Sequence, residues 1–135
     1  MMISTRGRYA LRVLLDLAEH GSEGYIPMKS VAERLELSLK YIERIMPILT
    51  KNNMVEGVHG KGGGYKLSKA PHEYRVGDIL RLTDGLAPVA CLECDAPKCE
   101  KAEKCPTLPM WKGFHKMANE YFDNITLEDL MKNRG

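Results

Sequence analysis

Residues 38–67 read SLKYIERIMPILTKNNMVEGVHGKGGGYKL. Ser38 is a helix-capping residue type, and Leu39, Ile42, Ile45, Met46 and Leu49 follow it at helical spacing. Pro47 falls inside that pattern, where it removes an amide donor and is expected to kink the helix or loosen one turn. Asn52 and Asn53 end the helical stretch. Residues 54–59 then read as a strand, 60–64 as a turn and 65–67 as the return strand. A helix feeding directly into a two-stranded hairpin makes the preceding segment decisive.

Just upstream, Glu36-Leu37-Ser38 is a tight connection. Pro27 opens a short helix carrying Val31, Ala32 and Leu35. Before that, Ser4 or Thr5 caps a helix with Ala10, Leu11, Leu14, Leu15, Leu17 and Ala18 on one side, stopped by Gly21 and Gly24. Three short helices and a hairpin are the order of a winged helix-turn-helix. In such modules the helix after the tight turn enters the major groove of DNA. Here that helix presents Lys40, Tyr41, Glu43 and Arg44 away from Ile42 and Ile45. Lys40 or Arg44 can donate to guanine O6/N7 or to phosphate, and Glu43 can accept from a cytosine amino group. At the hairpin tip, Gly60 and its neighbouring glycines permit close approach to a phosphate strand. Lys61, and His59 when protonated, suit a narrow minor groove. A nucleotide-binding phosphate loop fits poorly. That pattern needs Lys followed by Ser or Thr at a helix start, whereas Lys61 is followed by Gly62 and a strand.

Downstream, Val76, Ile79, Leu80 and Leu82 predict a helix ending near Gly85. Pro88, Pro97, Pro106 and Pro109 then lie in or beside an irregular, cysteine-rich stretch. Met110, Trp111, Phe114, Met117, Ala118, Tyr121 and Phe122 restore helical spacing. So many large side chains point to a dimer interface at Trp111, Phe114, Met117, Tyr121 and Phe122, because aromatics and Met are enriched at interfaces. Thr126 with Asp129 resembles a capping box opening a last short helix. The expected fold is mainly α with a small β wing. Residues 1–85 form the winged helix-turn-helix head, 86–107 the cysteine-rich loop, and 108–135 the dimerisation helix and a short C-terminal helix.

Composition bounds the function. The chain has 135 residues, 44% apolar and 28% charged, which suits one soluble domain able to bury a core. No stretch approaches the roughly 20 apolar residues of a membrane span, and the first residues lack a secretory pattern. A cytoplasmic protein is therefore expected. The net charge of +2 conceals an uneven distribution: residues 1–69 hold 11 Lys/Arg and 7 Asp/Glu, a local excess of +4. Local basicity is the electrostatic footprint of a nucleic-acid site.

All four cysteines, Cys91, Cys94, Cys99 and Cys105, fall within 15 residues. Thiolates suit iron–sulfur clusters and zinc, and four on one loop can wrap either. The spacing alone identifies neither. Disulfides, with three possible pairings, and unliganded thiols are the other readings. A thiol-redox enzyme would place its C-x-x-C pair in a βαβ setting, which Cys91-Leu92-Glu93-Cys94 lacks.

Four blocks together carry a family likeness: Ser4-Thr5-Arg6-Gly7-Arg8-Tyr9-Ala10, Ser38-Leu39-Lys40-Tyr41-Ile42-Glu43, Gly60-Lys61-Gly62-Gly63-Gly64-Tyr65 and Ile125-Thr126-Leu127-Glu128-Asp129-Leu130. In these the chain resembles the IscR/NsrR/CymR-type family of bacterial winged helix-turn-helix transcription regulators. The resemblance spans nearly the whole chain. It implies a homodimeric repressor, not an enzyme, that binds an inverted-repeat operator in double-stranded DNA. It also implies a [2Fe-2S] or [4Fe-4S] cluster whose occupancy reports iron–sulfur, redox or nitric oxide status. By position, Lys40, Glu43 and Arg44 become the recognition-helix readers, and His59, Gly60 and Lys61 the wing contacts. Cys99 and Cys105 match the family's five-residue cysteine spacing, with Cys91 or Cys94 supplying another ligand. IscR places a histidine three residues after the last cysteine, where this chain has Leu108, and the extra cysteine is its candidate replacement.

Overall fold

Helix α1 (Thr5–Glu19) starts where Ser4 holds an extended backbone and its hydroxyl accepts from the Gly7 amide at 3.1 Å. The computed structural model that shows this describes residues 2–92 and 102–133. Helix α2 (Met28–Leu35) follows Pro27, whose fixed φ suits a helix start. It ends at Glu36, which takes the left-handed conformation with φ 56°, and the Leu37 amide reaches back to the Ala32 carbonyl at 3.0 Å. Ser38 then caps α3 (Leu39–Lys51) by accepting from the Tyr41 amide. Pro47 does not break α3, which is continuous across it. Both Pro47 and Glu43 lie on the exposed side, so the carbonyl that loses its amide donor has water available.

Strands β1 (Val55–Val58) and β2 (Gly64–Leu67) pair antiparallel, with Val55 opposite Leu67 and Val58 opposite Gly64. The strands differ slightly from expectation: Met54 and His59 fall outside β1, and Gly64 joins β2. The ladder runs only from Val55–Leu67 to Val58–Gly64, and on the other edge of β2 the Ile26 amide and carbonyl both bond to Tyr65, at 2.8 and 2.9 Å. Gly64 passes so close that a Cβ there would sit 2.3 Å from the Ile26 carbonyl, and its φ of 154° also favours glycine.

Helices α4 (Val76–Thr83), α5 (Leu108–Asp123) and α6 (Leu127–Lys132) complete the described fold, with short 3₁₀ turns between elements. The Thr126–Asp129 capping box forms as expected, with bonds of 3.1 and 3.0 Å. One core unites Leu14 and Leu17 of α1, Val31 of α2, Ile42 and Leu49 of α3, Ile79 of α4 and Leu127 of α6. The C-terminal segment therefore returns to the head. The Leu127 amide bonds the Tyr74 carbonyl at 3.0 Å, and the Val76 amide bonds the Ile125 carbonyl at 2.8 Å.

Three polar devices fix the elements relative to one another. Asp16 is 4% exposed and accepts two bonds from Arg34, at 3.0 and 2.7 Å, clamping α1 to α2. That hydrogen-bonded carboxylate holds the Arg34 guanidinium above its usual pKa range. The buried Tyr74 hydroxyl donates to the Met54 carbonyl and accepts from the Ser68 and Lys69 amides, which pins the base of the hairpin. Arg81 of α4 bonds Asn119 and Asp123 of α5 while also pairing with Asp78. Among the described residues, no helix is long and apolar enough to cross a membrane.

Candidate nucleic-acid interface and thiol segment

The geometry of α3 follows from which side it buries. Ile42, Ile45, Met46 and Leu49 are in the core, so Lys40, Glu43, Arg44 and Pro47 face solvent. The side chains of Lys40, Glu43 and Arg44 make no hydrogen bond or ion pair with any described residue. Charged groups without internal partners keep their full capacity to bind an outside ligand. Tyr41 stands differently. Its ring is half-buried and meets Tyr9 of α1 edge-on, with centroids 5.3 Å apart.

The hairpin stands beside α3. Its turn closes with the Gly63 amide on the Gly60 carbonyl at 3.0 Å, and Gly60 takes a φ of 94°. His59, Gly60 and Lys61 are all exposed at the tip. Between hairpin and helix runs an open cleft of about 560 Å³, lined by Glu43, Pro47 and Thr50 on one side and by His59, Gly60 and Tyr65 on the other. The structure thus brings Glu43 of the helix and His59 and Gly60 of the wing to one concave face. Lys40 and Arg44 lie next to it on the same exposed side of α3.

Helix α5 has no buried residue. Phe114, Met117 and Tyr121 are exposed, with Met110 one turn earlier in the same stripe. Trp111 is half-buried. Phe122 turns inward and packs on Val76, Leu80 and Leu86. The uncovered apolar row is therefore Met110, Phe114, Met117 and Tyr121, spaced four, three and four residues apart. Sequence spacing had grouped Phe122 with this row. Only its packing on Val76, Leu80 and Leu86 separates Phe122 from that row.

Cys91 lies exposed in a 3₁₀ turn, and Cys105 half-buried just before α5. Cys94 and Cys99 lie outside the described residues. The Cys105 sulfur sits 3.4 Å from the Thr107 hydroxyl. Hydrogen bonds from that hydroxyl and from the Thr107 and Leu108 amides draw the thiol pKa below its ordinary value. Among the described residues no group of three or more His, Cys, Asp or Glu is placed to hold a metal ion, while the two described thiols, one of them biased toward thiolate, are donor types that suit a thiophilic metal. Leu108 opens α5 as an apolar residue and offers no ligand. Asp16, Tyr74 and Arg81 are the residues that sequence reasoning missed. Asp16 alone left a trace, as a carboxylate among Val13, Leu14 and Leu17 on the apolar side of α1.

A helix-turn-helix whose second helix stands beside a glycine-tipped hairpin defines the winged-helix class of DNA-binding regulators. Comparison with known proteins refines that class. The chain belongs to the Rrf2 family of iron-dependent transcriptional regulators, whose family model matches residues 3–133. The HTH-type transcriptional regulator IscR of Pectobacterium carotovorum subsp. carotovorum (strain PC1) is 34% identical over 135 residues, covering 99% of this chain and 81% of that protein. IscR of Erwinia tasmaniensis is 35% identical over the same coverage. Among solved structures, T. potens IscR superposes with a TM-score of 0.79 at 35% identity, covering 100% of this chain and 89% of that one. CymR (YrzC), the global cysteine regulator of B. subtilis, gives a TM-score of 0.79 at 34% identity, covering 98% of both chains. The chain is thus a transcriptional regulator and not an enzyme.

Proposed function

We propose that this regulator is a cytoplasmic homodimeric repressor whose cysteine segment holds an iron–sulfur cluster and reports iron–sulfur, redox or nitric oxide status. The observation that carries the DNA half is the unpaired face of α3 beside an exposed glycine-tipped wing. Arg44 and Lys40 donate to guanine edges or phosphate, and Glu43 accepts from a cytosine amino group. His59, Gly60 and Lys61 follow the neighbouring minor groove. The uncovered stripe of α5 pairs two copies about a two-fold axis, which matches an inverted-repeat operator with half-sites roughly 34–36 Å apart or a multiple of that.

Cys91, Cys94, Cys99 and Cys105 are the ligands assigned to the cluster. Support comes from four thiols in one short segment and from the lowered pKa of Cys105. When bound, the cluster supplies a redox- and nitric-oxide-reactive centre. The chain's own part is to hold it at the N-terminus of α5, on the segment that links α4 to that helix. Its loss acts by changing the population of the DNA-competent geometry. Protein purified without oxygen tests this reading. A brown protein with visible absorption, lost in Cys105→Ala, is expected. Colourless protein with stoichiometric zinc contradicts the cluster.

A further inference from the structure

The Tyr9–Tyr41 pair is more than a core contact. Its rings pack on the head, and a phenylalanine at either position would fill the same space. The hydroxyls are not explained by packing. Neither bonds a described residue, and neither is buried. Arg12 lies over the Tyr9 ring at 5.9 Å while donating one bond to the Leu35 carbonyl at the end of α2. Arg8, one turn earlier on the same face of α1, is exposed and touches only the Thr5 hydroxyl. Two open hydroxyls and the Arg12 guanidinium, with donors to spare, therefore meet beside the first turn of α3, and Arg8 stands one turn earlier on α1.

Their position relative to the wing gives them a use. At 3.6 residues per turn, Glu43 and Thr50 face the hairpin cleft, and Tyr41 lies on the opposite edge of the exposed side. Lys40 and Arg44 lie between. A helix seated in the major groove has one sugar–phosphate strand on each side, and the first helix of such a motif crosses the backbone. The wing takes one strand. We infer that Tyr9 and Tyr41, with Arg8 and Arg12, form a phosphate-gripping site for the other strand. The inference rests on the reading of α3 as the DNA-contacting helix and names the chemistry on its far flank.

The test is a binding titration against two duplexes of unrelated sequence. The variants are Tyr9→Phe/Tyr41→Phe, Arg8→Ala and, as a control on the α3 reading, Arg44→Ala. The Phe variants keep both rings and remove only the hydroxyls. A hydrogen bond to a charged phosphate predicts a loss of about tenfold for each hydroxyl removed, equal on both duplexes because phosphate contacts carry no sequence information. Arg8→Ala should weaken binding similarly and reduce the salt slope by about one. If Arg44→Ala loses affinity while the tyrosine and Arg8 variants bind within twofold of the parent, the inference is overturned alone. If every variant binds like the parent, the α3 reading falls with it. A loss on one duplex only also contradicts a phosphate site.

Discussion

Asp16 lies within the apolar side of α1, and Arg34 is what makes that position tenable. Removing Arg34 leaves a buried carboxylate without its cation. Arg34 is itself about a third exposed, so the expected cost of Arg34→Ala is about 2–3 kcal/mol, below that of a fully buried pair. Asp16→Ala/Arg34→Met should recover most of it, because it removes charge and partner together. Chemical denaturation reads both, and an unaffected single variant would contradict the clamp. Tyr74 works similarly for the wing. Tyr74→Phe leaves the Lys69 amide without its partner and the Ser68 amide and Met54 carbonyl with only their mutual bond of 3.3 Å, at an expected cost of about 1–3 kcal/mol. Burial raises the phenol pKa, so the folded state favours the neutral form. That contribution is intact below about pH 10, the phenol's ordinary value, and is lost as pH rises beyond it. The Tm gap between parent and Tyr74→Phe should narrow above that pH. A gap that stays constant would contradict the assignment.

At the scale of elements, most helix starts were legible because their signals are local. Ser4, Ser38 and Thr126 each cap the helix their position suggested. The hairpin was legible to within a residue or so, since glycines and alternation mark it. What was not legible was Ile26, which lies about forty residues away in sequence and pairs with Tyr65 on the outer edge of β2. Pro47 looked disruptive from spacing alone, yet its exposed position leaves α3 unbroken. The connection 36–38 carried a cost the sequence did not advertise. Glu36 holds a left-handed backbone that glycine adopts freely. Glu36→Gly should therefore raise stability by about 1 kcal/mol in denaturant titration, and a fall would show that the Glu36 side chain matters more than its φ.

Across the whole molecule, the local +4 of residues 1–69 coincides with the head that carries α3 and the wing. The return of α6 was not legible beforehand. Thr126 and Asp129 announced a helix, but nothing nearby said that Leu127 would be fully buried, with α6 packed on α1 and on the turn at 71–73. The candidate site was legible as residue types on one helix and one hairpin. Their convergence on a cleft, and the separation of Phe122 from the α5 stripe, needed the packing. That stripe makes a prediction of its own. Met117 and Tyr121 are 68% and 65% exposed, so Met117→Lys/Tyr121→Lys should convert a dimer to a monomer in sedimentation without lowering the Tm. A monomeric parent, or a variant that stays dimeric, would contradict the pairing. The central claim is that α3 and the wing hold DNA. The most direct measurement of it is the affinity of the parent and of Arg44→Ala/Lys61→Ala for a random-sequence duplex between about 50 and 200 mM salt. The account predicts steep weakening with salt for the parent, and weaker binding with a shallower slope for the variant. Salt-independent binding, or two superimposable curves, would contradict it.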